Sequence, residues 1–327
     1  PFVASLRRYD FGKLRHDSRA ALNVTLLAVA QAIAFASIAG LPVVYGVLCT
    51  AIAALVAPLF SASRHTIMGP TNATAFMLFS FFSVNPDLAH RWSELVPVLV
   101  LMVGLIATLG ALMRVADLMQ FVSRSVLVGY ISGAAVLILA NQSIHLLGVV
   151  KWIDIDSSAS LVGLLIGLAK ALPHTDWVSL SIGAATLVIY YALAKWKPAW
   201  PVFAIALVIA SAVFGSLIRF HVPPFAGAAT FTTFGFDELM PRLPHLMRAG
   251  IFNDISPLLG VALAIAFLAS LENTLMAKAL ASRSGDHADV NQDMFSVGMA
   301  NLARAVAGGM PASGSLTRST LNFESGA

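Results

Sequence analysis

The stretch SRHTIMGPTNATAFMLFSFF, residues 63–82, begins as a polar loop and ends as the interior of a membrane. Gly69, Pro70, Thr71, Asn72, Ala73 and Thr74 run straight into apolar residues with no charged border. Its meaning depends on the solvent around the chain. Of the 327 residues, 58% are hydrophobic and 11% charged, and the mean hydropathy is +0.83. A soluble domain of this length has no core large enough for so much apolar side chain, so the chain is an integral membrane protein. Its one cysteine, Cys49, lies in an apolar run and reads as a small buried hydrophobe, which excludes a disulfide framework or a cysteine metal knuckle. Nothing in the sequence calls for a cofactor.

Apolar runs of about twenty residues predict spans near 21–40, 43–60, 95–113, 125–148, 176–195, 199–218 and 256–281. Runs near 69–84 and 291–308 are short for a crossing, another helix begins near 314, and 157–171 reads as a helix along the surface. Residues 1–20 form an N-terminal segment. Arg7, Arg8, Lys13, Arg15 and Arg19 precede the first span, and Arg64, Arg114, Arg124, Lys195, Lys197, Lys278 and Arg283 fall in alternate connections. The opposite side holds Arg91, Lys151, Lys170, Arg219, Arg242 and Arg248, mostly in longer loops. The bias predicts a cytoplasmic N-terminus in a multi-pass cell (inner) membrane protein. It also accounts for the net charge of +4 without a nucleic-acid partner. Trp92, Trp152, Trp177, Trp196 and Trp200 all fall at span ends, where an amphipathic ring suits the headgroup region.

The opening stretch now has a physical reading. Non-helical backbone is tolerated at membrane depth only where protein or a water-filled cavity surrounds it. If residues 61–68 enter extended and a helix starts at Gly69-Pro70, then Pro70 takes the first helical position, where its missing N–H costs nothing. Thr71, Asn72 and Thr74 then lie beside unpaired backbone N–H groups and the positive end of the helix dipole, which is an anion site. The stretch GGMPASGSLTRSTLNF, residues 308–323, repeats the plan, with Ser315, Thr317, Ser319 and Thr320 in its first turns. Two Gly/Pro-interrupted segments at corresponding places in two halves point to a transporter site between inverted repeats.

QAIAFASIAGLPVVYGVLCT (31–50), SRHTIMGP (63–70), LENTLMAKALASRSG (271–285) and NQDMFSVGMANLARAVAGGMPASGSLTRSTLN (291–322) together resemble the SulP family of anion transporters, the sulfate permeases related to the animal anion exchangers and prestin. The resemblance implies an all-α polytopic membrane fold of fourteen segments. These form two inverted repeats of seven, each with a discontinuous half-helix, as in uracil permease. It assigns 21–113 (segments one to four) and 256–327 (segments eight to ten) to a transport core, and 125–218 (segments five to seven) to a gate. The remaining segments and the family's STAS domain would be missing, and a homodimer is implied. Carried over by residue, the anion site takes Gln31 and Phe35 from the first segment, Thr71 and Asn72 from the first half-helix, and Ser315, Thr317 and Arg318 from the second. Ala30 stands where a proline is often found, and Thr71 replaces an apolar or aromatic residue common in animal members.

Arg318 also stands out without the family. A guanidinium in an apolar segment costs about 3 kcal/mol or more unless it faces a cavity or a partner; the alternative is snorkelling to the headgroups. Arg304, near the end of a short span, reads as a snorkelling side chain. Glu272 is the carboxylate deepest in an apolar run, and facing Arg318 it would gain and lose a proton during transport, or else form a permanent ion pair. Its helical neighbours Leu268, Ala269, Leu275 and Met276 offer no side-chain oxygen, which favours a proton over sodium. The reading is a secondary active transporter of sulfate, bicarbonate or a dicarboxylate, proton-coupled. Its alternatives are a sodium-coupled bicarbonate symporter, an uncoupled exchanger or channel, and, more remotely, an intramembrane hydrolase using Ser313 or Ser315 with His145.

Overall fold

The computed structural model describes residues 9–121, 124–153, 161–197, 200, 202–228, 251–285 and 288–327. Of the residues used in the charge argument, Arg7, Arg8, Arg242 and Arg248 lie outside these. The chain divides into two compact units, Pro1–Phe121 with Thr233–Ala327, and Val122–Thr232.

In the first unit α1 (Phe11–Ile38) and α2 (Val43–Phe60) lead to a two-residue strand β1 (Met68–Gly69) and a short helix α3 (Asn72–Val84). A single turn, Pro86–Ala89, connects to α4 (Trp92–Leu112). The second unit holds α5 (Arg124–Leu146), α6 (Leu161–Ala171), α7 (Trp177–Trp196) and α8 (Val202–Arg219). The chain then returns to the first unit with α9 (Ile251–Ser284), α10 (Val290–Ala307), strand β2 (Ser313–Gly314) and the short helix α11 (Leu316–Glu324). The first unit thus carries the same order twice: two helices, a two-residue strand, a short helix.

Among the described residues six helices are long and apolar enough to cross a membrane, by length and composition. Most boundaries agree with the hydropathy to within a few residues. The exceptions are α1, which starts ten residues early because Asp10 caps it by accepting from Lys13 N, and α9, whose 34 residues outrun the apolar core of the segment. Helices continue through polar sequence when a cap starts them and no breaker interrupts.

The core of the first unit sits around α4, much of which is buried. Leu95, Val96, Leu99, Val100 and Val103 are fully enclosed and join Leu258, Ala262 and Ile265 of α9 in one cluster. Apolar burial gives little drive between helices in lipid, so close approach at small residues does the packing. A Cβ on Gly46 would fall 2.1 Å from the carbonyl oxygen of Ala32, and one on Gly298 would fall 2.7 Å from the backbone nitrogen of Thr108. These two glycines seat α2 on α1 and α10 on α4. In the second unit α7 has no buried residue, and Leu187, Val188 and Tyr191 stand exposed, as suits a lipid-facing helix.

Gly46→Val and Gly298→Val should each cost about 1–3 kcal/mol, since the obstructing atoms are backbone and cannot swing aside. Gly260→Ala, where a Cβ meets nothing within 4 Å, should cost nothing. Detergent-extracted protein should show the first two as lowered Tm or early aggregation on size exclusion, and the third as native-like.

Candidate functional site

The two lead-ins meet. β1 and β2 pair antiparallel, with Met68 opposite Gly314 and Gly69 opposite Ser313, and Ser315 N donates to Ile67 O at 3.0 Å. The pairing places the starts of α3 and α11 beside one crossing and sends the two chains away from it in opposite senses.

Each short helix is capped at that crossing by a hydroxyl. Thr71 is the N-cap of α3 and forms a reciprocal capping box with Thr74. Ser315 is the N-cap of α11, accepting from Arg318 N. Pro70 therefore stands before the cap rather than at the first helical position, which Asn72 occupies. The correction has a cause: a threonine that satisfies an orphan N–H makes a better boundary than a proline that merely lacks one. Pro70 has another use, because its carbonyl accepts from Arg318 Nη2 at 2.8 Å.

Arg318 is fully buried, so it does not snorkel. Its Nη1 donates to Gln31 Oε1 at 3.4 Å, and Gln31 Nε2 donates in turn to Thr317 Oγ1 at 3.0 Å. Arg318 Nε is buried with no hydrogen-bond partner, leaving donor capacity for a planar or tetrahedral oxyanion. Thr317 is exposed and Gln31 half-buried, so one side of the cluster opens to the surface of the unit. Ser315 Oγ and Thr317 Oγ1 also lie at hydrogen-bond distance, 3.3 Å, where either hydroxyl can donate.

Gln31, Thr71, Ser315, Thr317 and Arg318 thus gather around the two helix starts. Phe35 belongs instead to the apolar cluster with Ala75 and Leu78, one turn beyond Gln31 on α1. Asn72 is half-buried at the first position of α3 and is not among the side chains joined by these bonds.

Glu272 comes to the same place from α9. Its Oε2 accepts from Ser313 Oγ at 2.5 Å and from Thr71 Oγ1 at 3.2 Å, so one carboxylate touches both lead-ins. The Arg318 guanidinium gives its hydrogen bonds to Pro70 O and Gln31 Oε1. The helical neighbours of Glu272 lack side-chain oxygens, but the fold supplies hydroxyls from two other elements. Ser313 Oγ can also donate to Ala269 O, at 3.3 Å.

Arg304 corrects an expectation. It is fully buried rather than snorkelling, donating from Nε to Ala300 O at 2.9 Å and from Nη1 to Cys49 Sγ at 2.7 Å and Met310 O at 3.3 Å. Cys49 is buried and free, as its surroundings suggested. Arg304 turns inward because the chain after α10 doubles back through the protein, and Met310 O needs a donor there.

Further residues escaped the sequence reading. Asn301 accepts from Ala312 N at 3.1 Å and donates to Ala312 O at 3.1 Å, pairing both polar groups of the residue before β2 as a neighbouring strand would. Asp293, fully buried, accepts from Ser61 Oγ, Ala62 N, Ser63 N and Ser63 Oγ at the start of the first lead-in. Ser319 Oγ accepts from Ile67 N at 2.8 Å. A polar residue inside a short, moderately apolar helix was the available signal, but its partner lies far along the chain.

The sulfate permease family model matches residues 14–327. The chain belongs to that family. It is 27% identical over 330 residues to sulfate transporter 4.1, chloroplastic, of Arabidopsis thaliana, covering 99% of this chain and 46% of that protein. It is 26% identical over 350 residues to low affinity sulfate transporter 3 of Stylosanthes hamata, covering 100% of this chain and 52% of the relative. It therefore spans about half the length of these relatives. Its fold matches the transmembrane domain of a cyanobacterial bicarbonate transporter, BicA, with a TM-score of 0.70 at 19% identity, covering 97% of this chain and 78% of that one. It also matches murine Slc26a9, described as an anion transporter in the inward-facing state, with a TM-score of 0.67 at 19% identity, over 100% of this chain and 56% of that one. The protein is a polytopic helical membrane protein of this family, and the family's members are transporters rather than enzymes. Ser313 and Ser315, named for a hydrolase, are engaged by Glu272 and by the start of α11.

Asn301→Leu keeps the shape but strips both partners from Ala312, and each buried unsatisfied group costs about 1–3 kcal/mol. Ser315→Ala removes a cap and should cost about 1 kcal/mol. Thermal unfolding in detergent should rank Asn301→Leu below Ser315→Ala, and both below the native protein.

Proposed function

We propose that this protein is a secondary active transporter of a small oxyanion or other small anion, with its binding site at the meeting of α3 and α11. The observation that carries the proposal is the fully buried Arg318 set beside the starts of two short helices whose lead-ins pair as β1 and β2. Helix starts present unpaired N–H groups and positive partial charge, and a buried guanidinium adds full charge and directional donors. Gln31, Thr317 and Ser315 orient the anion, and Thr71 and Asn72 supply the α3 side. Phe35, in the apolar cluster one turn beyond Gln31 on α1, would border the site from that side. The relatives named as sulfate transporters make sulfate the first candidate, with bicarbonate and dicarboxylates next. Alternating access would move the first unit as transport core against the second as gate, in a homodimer with a cytoplasmic N-terminus.

Glu272 is the proposed coupling group. Ionised, its Oε2 draws the Thr71 and Ser313 hydroxyls together across the crossing. Protonated, it becomes a donor, and Ser313 can turn its own proton to Ala269 O and accept from Glu272. The proton thereby changes which bonds tie α9 to both lead-ins. An anion entering against an inside-negative potential faces about 2.3 kcal/mol per charge per 100 mV, and an accompanying proton cancels one charge.

Sodium coupling is the second reading, favoured by one observation. The Glu272 carboxylate, the Thr71 and Ser313 hydroxyls and Ala269 O bring three kinds of oxygen to one place, and a hard cation seeks several.

Uptake into proteoliposomes under imposed pH and sodium gradients separates these. Native uptake should rise when the outside is acidic, without sodium. Glu272→Gln should still bind anion, read as a thermal shift, but lose the pH dependence and the ability to concentrate substrate. Arg318→Ala should weaken uptake about tenfold or more while the protein stays folded and inserted. Uptake that needs sodium and ignores pH would replace the proton, and unchanged kinetics in Arg318→Ala would remove the site.

A further inference from the structure

Gly69 carries no side chain, and its backbone does not explain why. It does not adopt a positive φ, unlike Gly40 or Gly308, and it lies in an extended pairing that any residue can hold. The explanation lies in its surroundings. A Cβ built on Gly69 would fall 2.9 Å from Arg318 Nη2, 3.1 Å from Cζ and 3.3 Å from Nη1, and these are its three nearest atoms. The contrast with Gly314, in the paired strand, is informative. There a Cβ would meet Asn273 Oδ1 at 2.6 Å and the backbone Cα of Asn273 at 2.8 Å, so the fold itself forbids a side chain. At Gly69 the crowding comes from the guanidinium of one buried side chain.

We propose that Gly69 is a positioning residue for the Arg318 guanidinium. The bare backbone at position 69 is the slot in which the guanidinium lies. Seated there, it reaches Pro70 O at 2.8 Å and leaves its Nε–H unpartnered. The slot fixes where the donors point, and so sets the affinity of the anion site. The inference rests on the reading of that site as the anion site.

A methyl group at position 69 displaces the guanidinium by a few tenths of an ångström. The far end of an arginine can give way at little cost to the fold, so the penalty falls on binding rather than on stability. Lysine at position 318 has a compact ammonium with no plane to seat, so a Cβ at position 69 has nothing to displace.

The test compares four proteins: native, Gly69→Ala, Arg318→Lys, and the double variant. Each is titrated with sulfate, bicarbonate, fumarate and chloride by thermal shift, and assayed for uptake of whichever anions the native protein binds. Gly69→Ala should weaken apparent affinity about tenfold, since misplacing a positioned group by about 1 Å can cost a hundredfold. The Tm of the anion-free protein should move by less than about 2 °C. In the Arg318→Lys background the same change should cost less than about twofold, because the planar fork that needed the slot is gone. An equal penalty in both backgrounds, or a large fall in anion-free Tm, would mean that Gly69 serves the strand, and the proposal fails. Native affinity in Gly69→Ala, with Arg318→Lys weakened, would also overturn it while leaving the anion site intact. Full affinity in Arg318→Lys, or a native protein that answers none of the four anions, would overturn the site reading itself and this inference with it.

Discussion

Extended backbone inside an apolar unit must find a partner for its N–H and C=O groups, and the two lead-ins at residues 61–69 and 308–314 place that demand on everything around them. In lipid or in a dry protein interior each group left unsatisfied costs several kcal/mol. The two lead-ins answer part of it by pairing with each other as β1 and β2. A two-residue ribbon is too short to hold by itself, and side chains of α10 and α11 add further partners. Asp293 gathers the donors of Ser61, Ala62 and Ser63, while Gln292 Nε2 and Ser296 Oγ take Phe60 O and Ala57 O of the last turn of α2, just before the lead-in. Farther along α10, Asn301 and Arg304 take the polar groups of Ala312 and Met310.

This arrangement explains why α10 is only moderately apolar although much of it is buried. One helix serves both lead-ins, the first near its start and the second near its end, and Asp293, Asn301 and Arg304 on it each answer specific backbone groups. The arrangement also explains why the two short helices start where they do. Thr71 and Ser315 can cap only because the strands before them are held, and the held strands in turn fix the points from which the two helix dipoles act.

The charges follow the same logic. Arg318 is enclosed by the Pro70 carbonyl, Gln31 and the bare backbone of Gly69, and Glu272 approaches from α9 through two hydroxyls rather than through a hydrogen bond to the guanidinium. The carboxylate and the guanidinium thus share a site without consuming each other's hydrogen bonds.

The sequence alone determined the membrane setting, the helix order and the two interrupted segments, because these depend on local quantities: apolar run length, tryptophans at span ends, and glycine and proline beside hydroxyls. It also singled out Gln31, Thr71, Ser315, Thr317, Arg318 and Glu272, partly through the family motifs. Tertiary structure decided what those quantities do not contain. Thr71 rather than Pro70 became the boundary of α3 through its capping box with Thr74, and Arg304 turned inward because it answers partners from other elements. Asp293 and Asn301 gained their roles in the same way, from backbone groups on a distant loop or lead-in. A hydrogen bond between residues 61 and 293, or 31 and 317, leaves no periodicity in either segment, so folding alone reveals it.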